Sequence, residues 1–337
     1  MFRKMMKYSI ILIITFCYST LNASTIYVDQ TLSSSITNGT YNKVTRTSGG
    51  TDGNAYRTLR EVIWGTNGTN GAASAGDTIL LRGGTYREAW GNAGSYGAAM
   101  QIPQRLNGTS WTAGSYTIIS SYPGEWAILD GSTDGYYFGV GYGNLSWDNG
   151  AGALRYIKFE RLGITGGSSA GLGIVLGPVW VTYCYIYENG KGAYGDGNRG
   201  GISGRRLMNS IIEYNYFYNN SGTSDHNKAH IVIYSDYLYQ SYTYDFNNCN
   251  RDNEIRYNLF EGSTNTAFKD KAAQFLGAHP SPYGFMTDMT NRAHGNKIHH
   301  NIGSGCQTLI YSKQDYAQIH NNISLGGSIT SVDGSAE

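Results

Sequence analysis

Cysteine and proline are scarce in this chain of 337 residues, at four and five copies. Beyond Cys17 near the N-terminus, only Cys184, Cys249 and Cys306 remain, an odd and widely spaced set that is no disulfide framework. No two of them have the spacing of a zinc site. Cys184 falls inside a repeated phrase, Tyr183-Cys184-Tyr185, and is expected to be a buried core thiol. Charge is sparse too. The 25 basic and 24 acidic residues leave a net +1, so no overall field favours nucleic acid. The apolar run from Tyr8 to Tyr18 is too short to span a bilayer, and no transmembrane anchor is expected. What the chain has instead is 46 glycines and 29 tyrosines, the mark of a β-rich, turn-rich protein and not of a helical bundle.

Arg3, Lys4 and Lys7, the apolar stretch behind them and Leu21-Asn22-Ala23 read as a secretory leader over residues 1–23. Its removal takes the formal charge from +1 to −2. The mature protein, 24–337, is expected to be one elongated domain, secreted or periplasmic and monomeric. The chain stops straight after a repeat, so the expectation is a minimal C-terminal cap or a sequence that is a fragment.

A short phrase recurs through the second half, in Ile212-Glu213-Tyr214-Asn215, Ile255-Arg256-Tyr257-Asn258, Ile298-His299-His300-Asn301 and Ile319-His320-Asn321-Asn322. The asparagines Asn215, Asn258, Asn301 and Asn322 follow one another by 43, 43 and 21 residues. A unit of about 21 to 22 residues, sometimes lengthened by a loop, is the period of a solenoid coil. Each copy alternates apolar and polar residues around its Asn, as strand-turn-strand does. Stacked coils bury the apolar face and satisfy strand edges that one coil could not. The asparagines are expected to be structural, and His299, His300 and His320 to be members of the same stacks.

Upstream, Thr25 to Asp29 reads as a strand, and Leu59, Val62 and Ile63 are spaced for one short amphipathic helix over 56–65. Gly76-Asp77-Thr78-Ile79-Leu80-Leu81-Arg82-Gly83-Gly84-Thr85-Tyr86-Arg87-Glu88 then reads as turn, buried strand, Gly-Gly turn and outgoing edge. This opening resembles that of secreted right-handed parallel β-helix proteins of the pectate-lyase-like superfamily. The resemblance implies an all-β, right-handed parallel β-helix with a short N-terminal capping helix. Residues 131–153 are expected to be loop. So are 272–291, where His279-Pro280-Ser281-Pro282 interrupts the pattern beside a binding cleft.

A second recurring strand suggests a site. Aligning Ile233, Phe268 and Ile310 as the last large apolar residue of each copy points Tyr234, Lys269 and Tyr311 outward, beside Asp236, Lys271 and Lys313. Residues one coil apart lie about 4.8 Å apart, which would set Lys269 between two tyrosines. Arg292-Ala293-His294-Gly295 follows Lys271 by 21 residues, about one coil. A lysine followed one coil later by an Arg-His-Gly element resembles the alginate-lyase and chondroitinase-B group of polysaccharide lyases. That resemblance implies a lysine base, an assisting arginine and calcium at the substrate carboxylate. The catalytic candidates are thus Lys269, Lys271, Arg292 and His294. Tyr234, Tyr311 and Lys313 are candidate substrate contacts, and Asp236 and Glu261 candidate metal ligands.

The expected partner is an acidic polysaccharide such as alginate, pectate or a glycosaminoglycan, cleaved by β-elimination. The alternatives are a non-catalytic carbohydrate-binding or surface β-helix, and a glycoside hydrolase. Hydrolysis needs paired carboxylates, and no acidic set is evident on one outward column. An epimerase would share the proton-abstraction step.

Overall fold

The computed structural model describes residues 23–66, 68–91, 94–133, 135–142, 153–191, 199–205, 207–220, 228–235, 251–262, 271–278, 293–306, 308–312, 314–315, 318–326 and 328–331. All of the expected leader but Ala23 lies outside them.

Apolar residues two apart on short strands build three long parallel sheets. Among the described residues sheet 1 has ten strands, sheets 2 and 3 eight each. One coil runs through Ile157–Glu160 in sheet 1, Leu162–Thr165 in sheet 2 and Ala170–Val175 in sheet 3. Val179–Thr182 then returns to sheet 1. Within these sheets each strand pairs with its counterpart one coil away, not with its chain neighbour. Parallel crossovers of this kind coil right-handed, so the fold is a right-handed parallel β-helix.

The interior column of sheet 1 shows the logic. Ile79, Ile119, Phe159, Val181, Ile212, Ile255, Ile298 and Ile319 are in register from coil to coil. All but Ile319 at the last coil are fully buried. Cys184 joins this core, as expected, and burial pushes its thiol up to about 12. It is an inert filler, not a nucleophile.

The turn from sheet 1 to sheet 2 is the shortest corner. Arg161, Tyr183, Tyr214, Tyr257, His300 and Asn321 each hold it with a φ between 52° and 56°. Left-handed backbone costs a non-glycine residue roughly 1 kcal/mol. Hydrogen bonds from the next residue offset it. Asn215 Nδ2 donates to Asn258 Oδ1, Asn258 to Asn301 and Asn301 to Asn322, each at 3.0 Å. A separation of 43 residues is therefore a single coil with a long insertion, not two coils. Two further ladders hold the other corners, Asn189 to Asn220 and Asn253 to Asn296, each at 2.9 Å. His299 and His320 stack 4.8 Å apart at 3°, as expected.

The helix forms where the spacing of Leu59, Val62 and Ile63 places it, as α1, Leu59–Ile63, with all three buried. Thr58 and Glu61 make a reciprocal capping box. The carboxylate of Glu88 accepts the amides of Leu59 and Arg60 at 3.0 Å.

Two expected loops contain strands. Tyr136–Gly141, inside 131–153, is a sheet 3 strand, and Lys271–Ala278 occupies the start of 272–291. Both are rich in Gly, Ala or Tyr, so their apolar alternation is weak.

Candidate active-site face

From Ile157 onward the long connections share one feature. They run between Tyr187 and Arg199, Tyr218 and Lys228, Ser235 and Glu254, Glu261 and Lys271, and Ala278 and Ala293. Every one leaves or enters sheet 3. A repetitive scaffold that spends its insertions on one sheet's borders makes that sheet the candidate functional face.

The strands of sheet 3 set the positions of the candidates. Ile202, Ile231, Ile233 and Ile310 enter the common core, whereas Ala229 and Val232 are buried in a separate cluster apart from it. Ile231, Ala273 and Ile310 are in register, as are Val232, Gln274 and Tyr311, and Ile233, Phe275 and Ser312. Lys271 stands between Ala229 and Thr308, and Tyr234 pairs with Leu276.

This register corrects the sequence alignment. Ile233 pairs with Phe275, seven residues beyond the expected Phe268. Tyr234 and Tyr311 occupy different columns, and Lys271 opens its strand instead of following the strand's end. Phe268 and Phe275 are equally plausible apolar anchors, and an odd slip between them exchanges the two faces. The local apolar pattern could not choose. Lys269, Arg292, Lys313 and Asp236 lie outside the described residues.

Ala293–His294 forms a short strand that pairs with Gln314–Asp315 and lies against the strand Lys271–Ala278. Ser312 is in register with Phe275 and Gln314 comes after it, so His294, paired with Asp315, lies toward the Ala278 end of that strand, away from Lys271 at its start.

Glu261 is placed elsewhere. It ends a sheet 2 strand, in register with Tyr218 and Ser304, and its carboxylate accepts the Tyr216 hydroxyl. Burial and that carboxylate raise the Tyr216 phenol. Calcium takes six to eight oxygens. Among the described residues no group of three His, Cys, Asp or Glu could hold a metal ion, and the other metal candidate, Asp236, lies outside them.

Sequence reasoning missed a charged face on sheet 1. Glu160, Thr182, Glu213, Arg256, His299 and His320 follow one another in one column. The signal was present, because four of them directly follow the isoleucine of the recurring phrase. Glu160 pairs with Lys158 at 2.9 Å. Arg256 bridges Glu213 at 2.7 Å and Glu254 at 2.8 Å. Trp180 Nε1 donates to Glu213 at 2.9 Å, beneath the Lys158 ammonium 4.4 Å from its ring. Each carboxylate already has a cation, so the column serves as a stabilising network and not as a hydrolytic pair.

No protein-family model matches the chain, and no curated protein does. Among solved structures it is similar to pectate lyase Pel9A, at 14% identity and a TM-score of 0.36, over 94% of this chain and 79% of that one. The alginate lyase AlyGC of family PL6 gives 13% and 0.32, over 77% and 38%. A pectin methylesterase in complex with a hexasaccharide gives 8% and 0.32, over 84% and 91%. The strand pairing above makes the fold a right-handed parallel β-helix.

Proposed function

We propose that the protein is a secreted polysaccharide lyase that cleaves a uronate-containing polymer by β-elimination on sheet 3. The observation that carries the reading is that the long connections border sheet 3, the sheet that holds Lys271 and has Ala293–His294 against the far end of the same strand.

The chemistry fits those residue types. A neutral lysine, Lys271 or its neighbour Lys269, takes the proton alpha to the uronate carboxylate. The electron pair left behind forms the carbon-carbon double bond as the bond to the glycosidic oxygen breaks. Arg292 holds the carboxylate through two parallel hydrogen bonds and stabilises the charge that builds there. His294 returns a proton to the departing oxygen. A lysine base needs its pKa brought down towards neutrality, which positive neighbours or burial would do. Tyr234 and Tyr311 contribute sugar contacts from separate columns.

The test is lyase assay of purified variants on alginate, polygalacturonate and chondroitin sulfate. Loss of at least about 100-fold in Lys271→Ala or Lys269→Ala, the range for removing a general base, supports the assignment. Wild-type rates in both variants sink it. A folded wild type that binds one polymer and cleaves none leaves a carbohydrate-binding β-helix.

A further inference from the structure

His299 and His300 meet at the corner where Lys297–His299 of sheet 1 turns into Ile302–Ser304 of sheet 2. Their Nδ1 atoms are 2.8 Å apart. On its far side, His299 Nε2 lies 2.9 Å from Glu254 Oε1. A carboxylate only accepts, so Nε2 carries the proton and Nδ1 keeps its lone pair. Glu254 is itself fixed by Arg256 at 2.8 Å. His320 stacks flat on His299, and the Tyr257 ring stands 5.1 Å from that of His300. His300 is exposed and His299 nearly buried, so the pair opens to solvent on one side only.

We infer that this pair is a binding site for a divalent transition-metal ion, copper or zinc, held by the two Nδ1 atoms and completed by water. Imidazole nitrogens bind such ions at about 2.0–2.1 Å, which sets two adjacent ligands about 3 Å apart. The observed 2.8 Å needs to open by only a few tenths of an ångström. The Glu254–His299 contact is the carboxylate-histidine arrangement that orients metal-binding imidazoles.

The protons balance. In the ion-free pair, Asn321 Nδ2 donates to His300 Nε2 at 3.2 Å, so His300 Nδ1 bears the hydrogen and donates to His299. Binding moves that hydrogen to Nε2, and the Asn321 amide turns its oxygen round to accept it. Water must complete the shell, since no third His, Cys, Asp or Glu converges there among the described residues. Nitrogen ligands select copper and zinc over calcium. The site lies on the sheet 1 to sheet 2 corner, away from sheet 3, and stands whether or not the lyase reading does.

The experiment is titration of the full chain with Cu²⁺, followed by calorimetry and by electron paramagnetic resonance, with Zn²⁺ as competitor. One equivalent with a two-nitrogen signature is expected. His300→Asn should lose that equivalent, and asparagine suits the left-handed φ of 56° there, as Asn321 does in the next coil. Glu254→Gln should keep the equivalent but weaken it about 10–100-fold, the usual cost of removing such a partner. Circular dichroism identical to wild type confirms that both variants fold. No copper bound by the wild type, or the same equivalents and nitrogen count in His300→Asn, overturns the inference.

Discussion

Asn215 Nδ2 donates to Asn258 Oδ1 at 3.0 Å across 43 residues of chain. Asn258 spends every polar atom of its side chain. Its oxygen also accepts the Asn215 amide at 3.0 Å, and its nitrogen donates to the Ile212 carbonyl at 2.8 Å and to Asn301. Asn258→Ala strands several buried partners at once and should cost on the order of 3 kcal/mol or more. Asn322→Ala, at the half-exposed end of the same ladder, should cost about 1 kcal/mol. Urea denaturation of the two variants checks the ranking.

His230 is fully buried, ringed by Phe217 and Phe260, with Nδ1 accepting the Asn220 side-chain amide at 3.2 Å. Burial pushes its pKa down to about 3. The folded state therefore binds fewer protons than the unfolded state between the ordinary histidine value and about 3. Stability should fall as pH drops through that window, by about 1.4 kcal/mol per unit for this one group. His230→Asn should remove that slope relative to wild type, whatever it does to stability at neutral pH. Chemical denaturation at several pH values reads the difference.

Asp29 has a carboxylate buried near the N-terminal coil, satisfied by Thr31, Tyr41 and Arg46. Those hydrogen bonds outweigh the burial and hold its carboxyl well below the usual range. Its contribution is present above the ordinary carboxylate pKa and is lost as pH falls below it. Asp29→Ala leaves Arg46 unpaired and Tyr41 without its acceptor, which should cost about 3–5 kcal/mol. A thermal melt at neutral pH, compared with Arg46→Ala, should show the larger drop for the buried partner.

The Asn-centred phrase made the coil legible because its side chains repeat at a corner whose geometry never changes. Leu59, Val62 and Ile63 made the helix legible in the same way. The Asn189–Asn220 and Asn253–Asn296 ladders were legible in the same way, in Tyr185-Ile186-Tyr187-Glu188-Asn189 beside Tyr216-Phe217-Tyr218-Asn219-Asn220 and in Asn253-Glu254-Ile255 beside Asn296-Lys297-Ile298, and went unread. Sheet 3 was misread for a physical reason. Its strands are separated by insertions of unequal length, so period gives no register, and Ala272, Ala273 and Gly277 carry no apolar alternation. With Phe268 and Phe275 both available, the alignment chose the wrong anchor. Lys271 stayed a candidate through the correction because the sheet, and not its exact neighbours, is what marks it.

The central claim is β-elimination on sheet 3, and the direct measurement is ultraviolet absorbance of the unsaturated uronate product. Wild type should produce it from one acidic polymer, and Lys271→Ala or Lys269→Ala should lose at least about 100-fold of that rate. A folded wild type that leaves all three polymers uncleaved, or full rates in both variants, would contradict the account.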